Sequence, residues 1–483
     1  MAIDEILISA SPGETRAAFV EGGVLSRYEV ARGTSGPRAG DVMLGRVSRV
    51  VPGIDAAFVE VGYERAGFLG LAEARTGDVG GGRIGDFVGE GDAVLVQIMR
   101  EPTAGKGAKL TRQPTLPGRF LVMMPEGTGV HVSRRIGDDG ARGHLENLLR
   151  PVAEAGGGWI GRSAALGADD QSVLDDAWSL RALWAGIQDQ ARAARAPAML
   201  RRAPDAVIAA VIDEAGPALT RVVVDDPGLG AEVRAAAPDL TECVSVEKGG
   251  AGPFAGRNID TQLEAALAPT VALSGGGAVT IAETAAMVAI DVDTAGASTG
   301  AREETALAVN LEAARAIAHH VRLRDLAGYI AIDFVPMKRR DYGARLLEAL
   351  REAFAADPRP TQVAGFTRLG VVEMTRRRRG PSLAERLTTV CPACAGSGRV
   401  ESAETLACAV LRAVQTEART AVGSDLTISA SEAVVEKLTG PMASALEDTE
   451  ARIGRNVHAT PGMVSLTGGF SVAPTDSDGE NDG

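Results

Sequence analysis

Two short apolar runs, Ala289-Ile290-Asp291-Val292-Asp293 and Ala331-Ile332-Asp333-Phe334, each carry an aspartate near their carboxyl end. Each lies in a strand-like stretch (Ala286 to Asp293, Gly328 to Val335) and leads into a helical pattern, Arg302 to Val321 and Tyr342 to Ala356. Apolar strands alternating with amphipathic helices predict an α/β layer with buried strands. Further strands are expected at Val363 to Phe366 and Val371 to Thr375, within a segment 267–388. A carboxylate among such residues is costly unless it binds a cation or meets donors. In open α/β sheets, ligands collect beyond the carboxyl ends of the strands. Two carboxylates there suit Mg2+, which keeps waters that can act on a phosphate. The competing view makes each aspartate a cap for the loop or helix after it; two matched strands favour a shared site.

A chain of 483 residues has room for several domains. Its 45% hydrophobic and 23% charged residues are ordinary for globular protein. No window approaches about 18 uninterrupted apolar residues, so no transmembrane helix is expected. The start, Met-Ala-Ile-Asp-Glu, lacks the features of a signal peptide, and a cytoplasmic protein without membrane contact is the expectation. The net charge of −13 counts against a general nucleic-acid-coating protein. Acidity can be segregated, however. Asp476, Asp478, Glu480 and Asp482 make an acidic tail, whereas Arg376 to Arg379 is a run of arginines that could meet a phosphate backbone or form a solvated edge.

Upstream, Ile3 to Ala10 and Arg16 to Val20 alternate like strands. From about Arg38 the chain turns to short strands and glycine turns: Met43 to Val51, Ile54 to Val61, Gly67 to Leu69, Asp92 to Met99 and a start at Lys109 to Arg112. That texture predicts a small five-stranded barrel of the OB type. Phe58, Tyr63 and Phe68 stand there beside Arg65, Lys106, Lys109 and Arg112, a combination that stacks bases and holds phosphates, although such aromatics can equally be core. Residues 118–204 mix strands (Phe120 to Met124, Gly129 to Val132) with helix around Leu145 and from Asp169 to Ala196. A strand Arg221 to Val224 and a helix near Ile259 to Ala266 follow.

Cys391-Pro392-Ala393-Cys394, on a glycine-loosened turn, offers half of a tetrahedral zinc site. No second such motif exists; Cys243 and Cys408 are single and distant, though either could contribute a ligand. A second copy of the chain would complete the four ligands and make zinc a dimer clamp. A redox pair is the rival, weakened because no thioredoxin-like strand pattern precedes the motif; an inert pair also stays open. The histidines form no metal-ligand spacing, and no nucleophile elbow, Walker loop or dinucleotide fingerprint occurs.

The ordered motifs Ile290-Asp291-Val292-Asp293-Thr294, Asn310-Leu311-Glu312-Ala313-Ala314, Leu323-Arg324-Asp325-Leu326-Ala327-Gly328, Ile332-Asp333-Phe334 and Cys391-Pro392-Ala393-Cys394 resemble the ribonuclease E/G family. Asp55-Ala56-Ala57-Phe58-Val59 and Gly67-Phe68-Leu69 are similar to its S1-type RNA-binding domain. The likeness spans about residues 1–400 and is looser beyond. It implies a multidomain α/β chain. Residues 1–37 with 205–266 would form an RNase H-like structural domain, with an S1-type OB barrel (38–117) and a 5′ sensor region (118–204) inserted. A DNase I-like catalytic domain (267–388), a zinc-link (389–400), a small domain (401–472) and a disordered acidic tail (473–483) would follow.

Carried over by position, the resemblance makes Asp291 and Asp333 the ligands of a catalytic Mg2+ whose water attacks the phosphodiester and leaves a 5′-phosphate product. Asp293 stands where larger members usually carry asparagine, so it either adds a ligand or keeps a hydrogen bond. Cys391 and Cys394 match zinc ligands shared between two protomers; whether two such dimers associate further stays open. Gly118, Val122, Arg162 and Ser163 align with a pocket for an RNA 5′-monophosphate, and Arg162 suits a bidentate phosphate grip. Ser163 replaces the usual threonine and keeps its hydroxyl. Phe58, Phe68 and Lys106, with Arg65 beside them, match RNA-contacting positions of the barrel.

The implied function is endoribonucleolytic cleavage of single-stranded RNA in RNA processing or decay, favouring 5′-monophosphorylated substrates. The alternative from another class is a non-catalytic RNA-binding protein using the barrel. With no degradosome scaffold or membrane helix evident after the small domain, the expected plan is that of the shorter, ribonuclease G-like members.

Overall fold

Residues Val288–Asp293 alternate buried and exposed without a break, and this pattern, rather than continuous apolarity, organises the larger of the chain's two units. The computed structural model describes residues 3–33, 36–76, 81–102, 106–133, 136–247, 249, 251–294, 302–355, 357–420, 424–462 and 469–475. The acidic tail residues Asp476, Asp478, Glu480 and Asp482 lie outside them. The units are Met1–Ala384 and Glu385–Gly483.

In the first unit, a six-stranded sheet runs in the order Thr270–Leu273, Gly277–Glu283, Val288–Asp293, Gly328–Asp333, Val372–Arg376, Thr361–Phe366. Its central pair, Val288–Asp293 with Gly328–Asp333, is parallel, and the other neighbours are antiparallel. Ile290, Val292, Ile330 and Ile332 point to one face. There they pack on Val309, Ala313, Ile317 and Val321 of helix Arg302–Leu323 and on Leu346, Leu350 and Phe354 of helix Arg340–Phe354. Both helices serve that single face. The expectation of buried strands is therefore corrected: Ala289, Asp291 and Asp293 are exposed on the other side. A one-residue slip would bury three carboxylates and expose Ile290, Val292 and Ile332, so the register is strongly held.

The hairpin Thr270–Leu273 to Gly277–Glu283 was not anticipated; Gly276, at φ +87°, makes its turn. Also unforeseen are strand Val24–Arg32 and helices Ala206–Glu214 and Pro227–Ala236. These two helices start from Asp205 and Asp226, whose carboxylates accept the N–H groups of Val207 and Leu229. Both back a sheet in the order Val244–Val246, Arg221–Val224, Glu5–Ser11, Glu14–Glu21, Val24–Arg32. Two distant stretches of chain thus share one sheet, fastened where Ala10 N–H donates to Asp225 at 2.8 Å.

Strands Val42–Val51, Ala56–Glu60, Gly67–Gly70, Lys109–Thr111 and Ala93–Arg100 pair in that order, and the last returns to the first. This is a closed five-stranded barrel, consistent with an S1-type OB fold. Gly107 lets the chain cross the barrel tightly, since a Cβ there would lie 2.1 Å from the Ala66 carbonyl oxygen. Beside the barrel, a four-stranded sheet (Val130–Val132, Gly158–Gly161, Leu121–Met124, Leu116–Pro117) packs with helices Asp139–Glu154 and Asp170–Ala193.

In the second unit, strand Leu426–Ala430 lies between Val457–Pro461 and Ser471–Pro474, backed by helices Ala403–Glu417 and Glu432–Thr439. Val472 to Pro474 pair with strand Leu426–Ala430, so the tail expected from 473 begins as strand.

One member of the arginine run is also corrected, while Arg377, Arg378 and Arg379 are exposed. Arg376 is buried, with Nε 2.7 Å and Nη2 3.1 Å from the two oxygens of Asp357 and Nη1 2.8 Å from the Leu326 carbonyl oxygen. Its strand partner is Gly328, at the opposite end of that strand from Asp333, about 16 Å away at the usual rise. Arg376 is a core brace, remote from the carboxylates. His319 and His320 of helix Arg302–Leu323 are half-buried, and burial with Arg324 nearby pushes His320 down to about 3. Arg376→Ala should leave the buried Asp357 carboxylate without its counter-charge, with only the Arg359 N–H and the Thr361 hydroxyl as donors among the described residues, and destabilise the unit by about 3–5 kcal/mol, read from denaturant midpoints. A loss under about 1 kcal/mol would show that the pair is no brace.

Candidate active site

The parallel register places Asp291 directly opposite Asp333. At ordinary strand spacing their Cα atoms are about 5 Å apart. Both side chains leave the open face, because the residues flanking them, Ile290, Val292 and Ile332, are committed to the core beneath. Thr280 stands across from Asp291 on the other side, and Ala278 across from Asp293. Ala289 and Ala331, with Glu373 beside Ala331, continue the same face. Among the described residues, small side chains (Ala278, Thr280, Ala289 and Ala331) border the carboxylates. Asp293, two residues beyond Asp291, shares its face at the strand terminus.

Two neighbouring carboxylates repel unless a cation or proton sits between them. Among the described residues, no group of three or more His, Cys, Asp or Glu gathers as a metal cage. A carboxylate pair on an open face fits Mg2+, which demands few protein ligands and retains water, better than a metal needing a full protein shell. Sequence reasoning had the two aspartates; it missed Thr280 and Glu373, whose strand registers are not local properties.

On the barrel, Phe58 and Phe68 face each other across adjacent strands, ring centroids 6.1 Å apart and edge to face. The Arg49 guanidinium lies 5.1 Å from the Phe58 centroid, a cationic cover that the sequence did not single out. Arg65 and Lys106 are exposed. The remaining candidates have structural duties. Lys109 pairs with Glu73, Arg112 donates to the Ala74 and Phe87 carbonyls, and the Tyr63 hydroxyl accepts from Arg202. Four of the seven aromatic and basic candidates, Phe58, Phe68, Arg65 and Lys106, thus remain on the surface, and Tyr63, Lys109 and Arg112 are scaffold.

Gly118, Val122, Arg162 and Ser163 come together around strand Leu121–Met124. The Arg162 N–H donates to the Phe120 carbonyl, and Val122 pairs with Pro117 and Ile160. The Arg162 Nη1 donates to the Gly118 carbonyl at 2.5 Å. Gly118 is required by contact: a Cβ would lie 2.4 Å from Asp176 Oδ1. That carboxylate accepts the N–H groups of Arg119, Phe120 and Leu121 and so shapes the loop. Burial raises the Asp176 pKa against these hydrogen bonds. An unforeseen partner is Asp213, whose carboxylate is ion-paired with Arg162 Nη2.

In the second unit, Cys391 is exposed and Cys394 half-buried, on a turn where Ala395, Gly396 and Gly398 take left-handed backbone. The N–H groups of Gly398 and Gly396, directed at its sulfur, hold the Cys394 thiol below the ordinary value. Two accessible sulfurs in a turn that favours thiolate fit a zinc half-site. The turn precedes every described strand of its unit, unlike a redox pair seated at a strand-to-helix junction.

The family described as "Ribonuclease E/G family" matches residues 115–379, and "RNase E/G, Thioredoxin-like domain" matches 390–472, for which the sequence alone had suggested no fold. Ribonuclease G of Haemophilus influenzae is 35% identical over 470 residues, covering 94% of this chain and 96% of that protein. Ribonuclease G of Escherichia coli strain K12 is 33% identical over the same share of each chain. Ribonuclease E of a Nostoc species is 35% identical over 415 residues, 81% of this chain and 58% of that protein. No helix among the described residues is long and apolar enough to cross a membrane. Matched across more than half its length by the family and aligned over nearly all of it with individual members, the chain belongs to the ribonuclease E/G family.

Proposed function

We propose that this endoribonuclease hydrolyses phosphodiesters of single-stranded RNA at the Asp291–Asp333 pair, with Mg2+, leaving 5′-phosphate products. The observation that carries this is the direct opposition of the two carboxylates on an open sheet face. Asp291 and Asp333 would hold the ion, and Asp293 is placed to orient a water at its edge. When bound, Mg2+ supplies a polarised phosphoryl oxygen and a more acidic water. The residues themselves hold a fixed negative site that recruits the cation, while the alanine bed of Ala289 and Ala331 leaves room for the phosphate backbone.

RNA would be held by the barrel. Phe58 and Phe68 offer faces for bases, and Arg49, Arg65 and Lys106 offer charge to phosphates. Exposed bases are needed for stacking, which makes single-strandedness a condition of binding. Gly118, Val122, Arg162 and Ser163 would take a 5′-monophosphate, so that binding energy from a distant end favours cleavage. By the same resemblance, the sheet holding residues 5–32 and 221–246 is assigned as RNase H-like scaffold and 267–388 as DNase I-like.

Cys391 and Cys394 would share structural Zn2+ with their counterparts in a second copy, making a homodimer. Zinc there contributes tetrahedral thiolate coordination and no chemistry on RNA.

Asp291→Asn and Asp333→Asn should each lower Mg2+-dependent cleavage of a short A/U-rich RNA by about a thousandfold, several kcal/mol of barrier, with RNA binding retained. Cleavage persisting in either variant would sink the site assignment. A strong zinc chelator, or Cys391→Ser with Cys394→Ser, should convert dimer to monomer in light scattering. An oligomer untouched by both treatments would remove zinc from the interface.

A further inference from the structure

We propose that Asp213 occupies Arg162 as a stand-in for an RNA 5′-phosphate and must swing away before that phosphate can be gripped. The proposal rests on the assignment of the Arg162 pocket made above. A guanidinium offers two paired-donor edges, Nε with Nη2 and Nη1 with Nη2. Both edges include Nη2. That nitrogen donates to the Asp213 carboxylate and, at 3.5 Å, to the Ile212 carbonyl oxygen, while Nη1 donates to the Gly118 carbonyl. Neither edge is free for a bidentate anion while Asp213 is in place. Ile212 is backbone and its contact is long, so the movable group on Nη2 is the Asp213 side chain.

Exposure separates the two partners. The Arg162 side chain is 14% exposed and the Asp213 side chain 54%. An arginine this buried needs a counter-charge when no RNA is present. Asp213, near the carboxyl end of helix Ala206–Glu214, supplies it from a position open to water, where it can rotate out and be rehydrated. The other carboxylate near the pocket, Asp176, is committed to the N–H groups of residues 119–121 and cannot take that part.

A phosphate monoester carries roughly −1.5 to −2 at neutral pH, against −1 for the carboxylate, and presents three acceptor oxygens. It can displace Asp213, whereas a 5′-hydroxyl brings no charge and leaves the ion pair closed. Asp213 therefore acts as a threshold: weak or partial anions fail to open the pocket, and the preference for a 5′-monophosphate is smaller than a bare arginine would give.

The test is direct binding of the full-length protein to a short 2′-O-methyl oligoribonucleotide, which cannot be cut, bearing a 5′-monophosphate or a 5′-hydroxyl. Asp213→Asn and Asp213→Ser are compared with wild type and with Arg162→Gln. Freeing an ion pair of this exposure should tighten monophosphate binding about two- to fivefold, with hydroxyl binding unchanged. Arg162→Gln should erase the difference between the two ends. If both Asp213 variants leave the preference unchanged or reduce it while Arg162→Gln erases it, Asp213 merely positions the arginine and the proposal is overturned. If Arg162→Gln leaves the wild-type preference intact, the pocket assignment itself fails and takes the proposal with it.

Discussion

The parallel pairing of Val288–Asp293 with Gly328–Asp333 is held from below. Ile290, Val292, Ile330 and Ile332 are buried against two helices on one face, each such side chain contributing about 1.5–3 kcal/mol through removal from water. Because side chains alternate along a strand, the same burial fixes Asp291 and Asp333 side by side on the other face. The site is therefore a by-product of core packing, rather than of local interactions among the carboxylates, which would repel one another. Antiparallel neighbours on both flanks, with the hairpin Thr270–Leu273 to Gly277–Glu283 on one side, lock the central pair further.

Three arginines of this chain differ in the partner within reach. Arg376 meets a wholly buried Asp357 and becomes part of the core. Arg162 meets a half-exposed Asp213 in an ion pair open to water. Arg49 meets the face of Phe58 and stays outside. The same cation serves as core brace, water-accessible ion pair or cation–π contact, and the burial of its partner differs accordingly.

Much of the architecture was legible as pattern. The short strands and glycine turns from about Arg38 pointed to a small barrel, and the barrel closes. The strands around Asp291 and Asp333 and the helices after them lie within a few residues of their expected spans. The burial of those strands was misjudged because alanine suits either face: Ala289 and Ala331 read as core, but Ala289 is exposed and Ala331 only half-buried. Arg376 was misjudged because charge predicts solvent unless a partner is known, and Asp357 is close only through the strand pairing. Asp213 was invisible for the same reason, since 51 residues separate it from Arg162. The helix Ala206–Glu214 was missed because it is apolar nearly all round and shows little helical periodicity. Tertiary partners, more than local propensity, were what the linear pattern lacked.

The central claim, that Asp291 and Asp333 together hold a divalent cation, is tested most directly by letting the cation mark its own position. Iron(II) is loaded in place of Mg2+, peroxide and ascorbate are added, and backbone scission is mapped by mass spectrometry. Cuts should cluster around Asp291–Asp293 and Asp333, be suppressed by excess Mg2+, and vanish when both aspartates are changed to asparagine. Scission elsewhere, or a pattern unaltered in the double variant, would contradict the account.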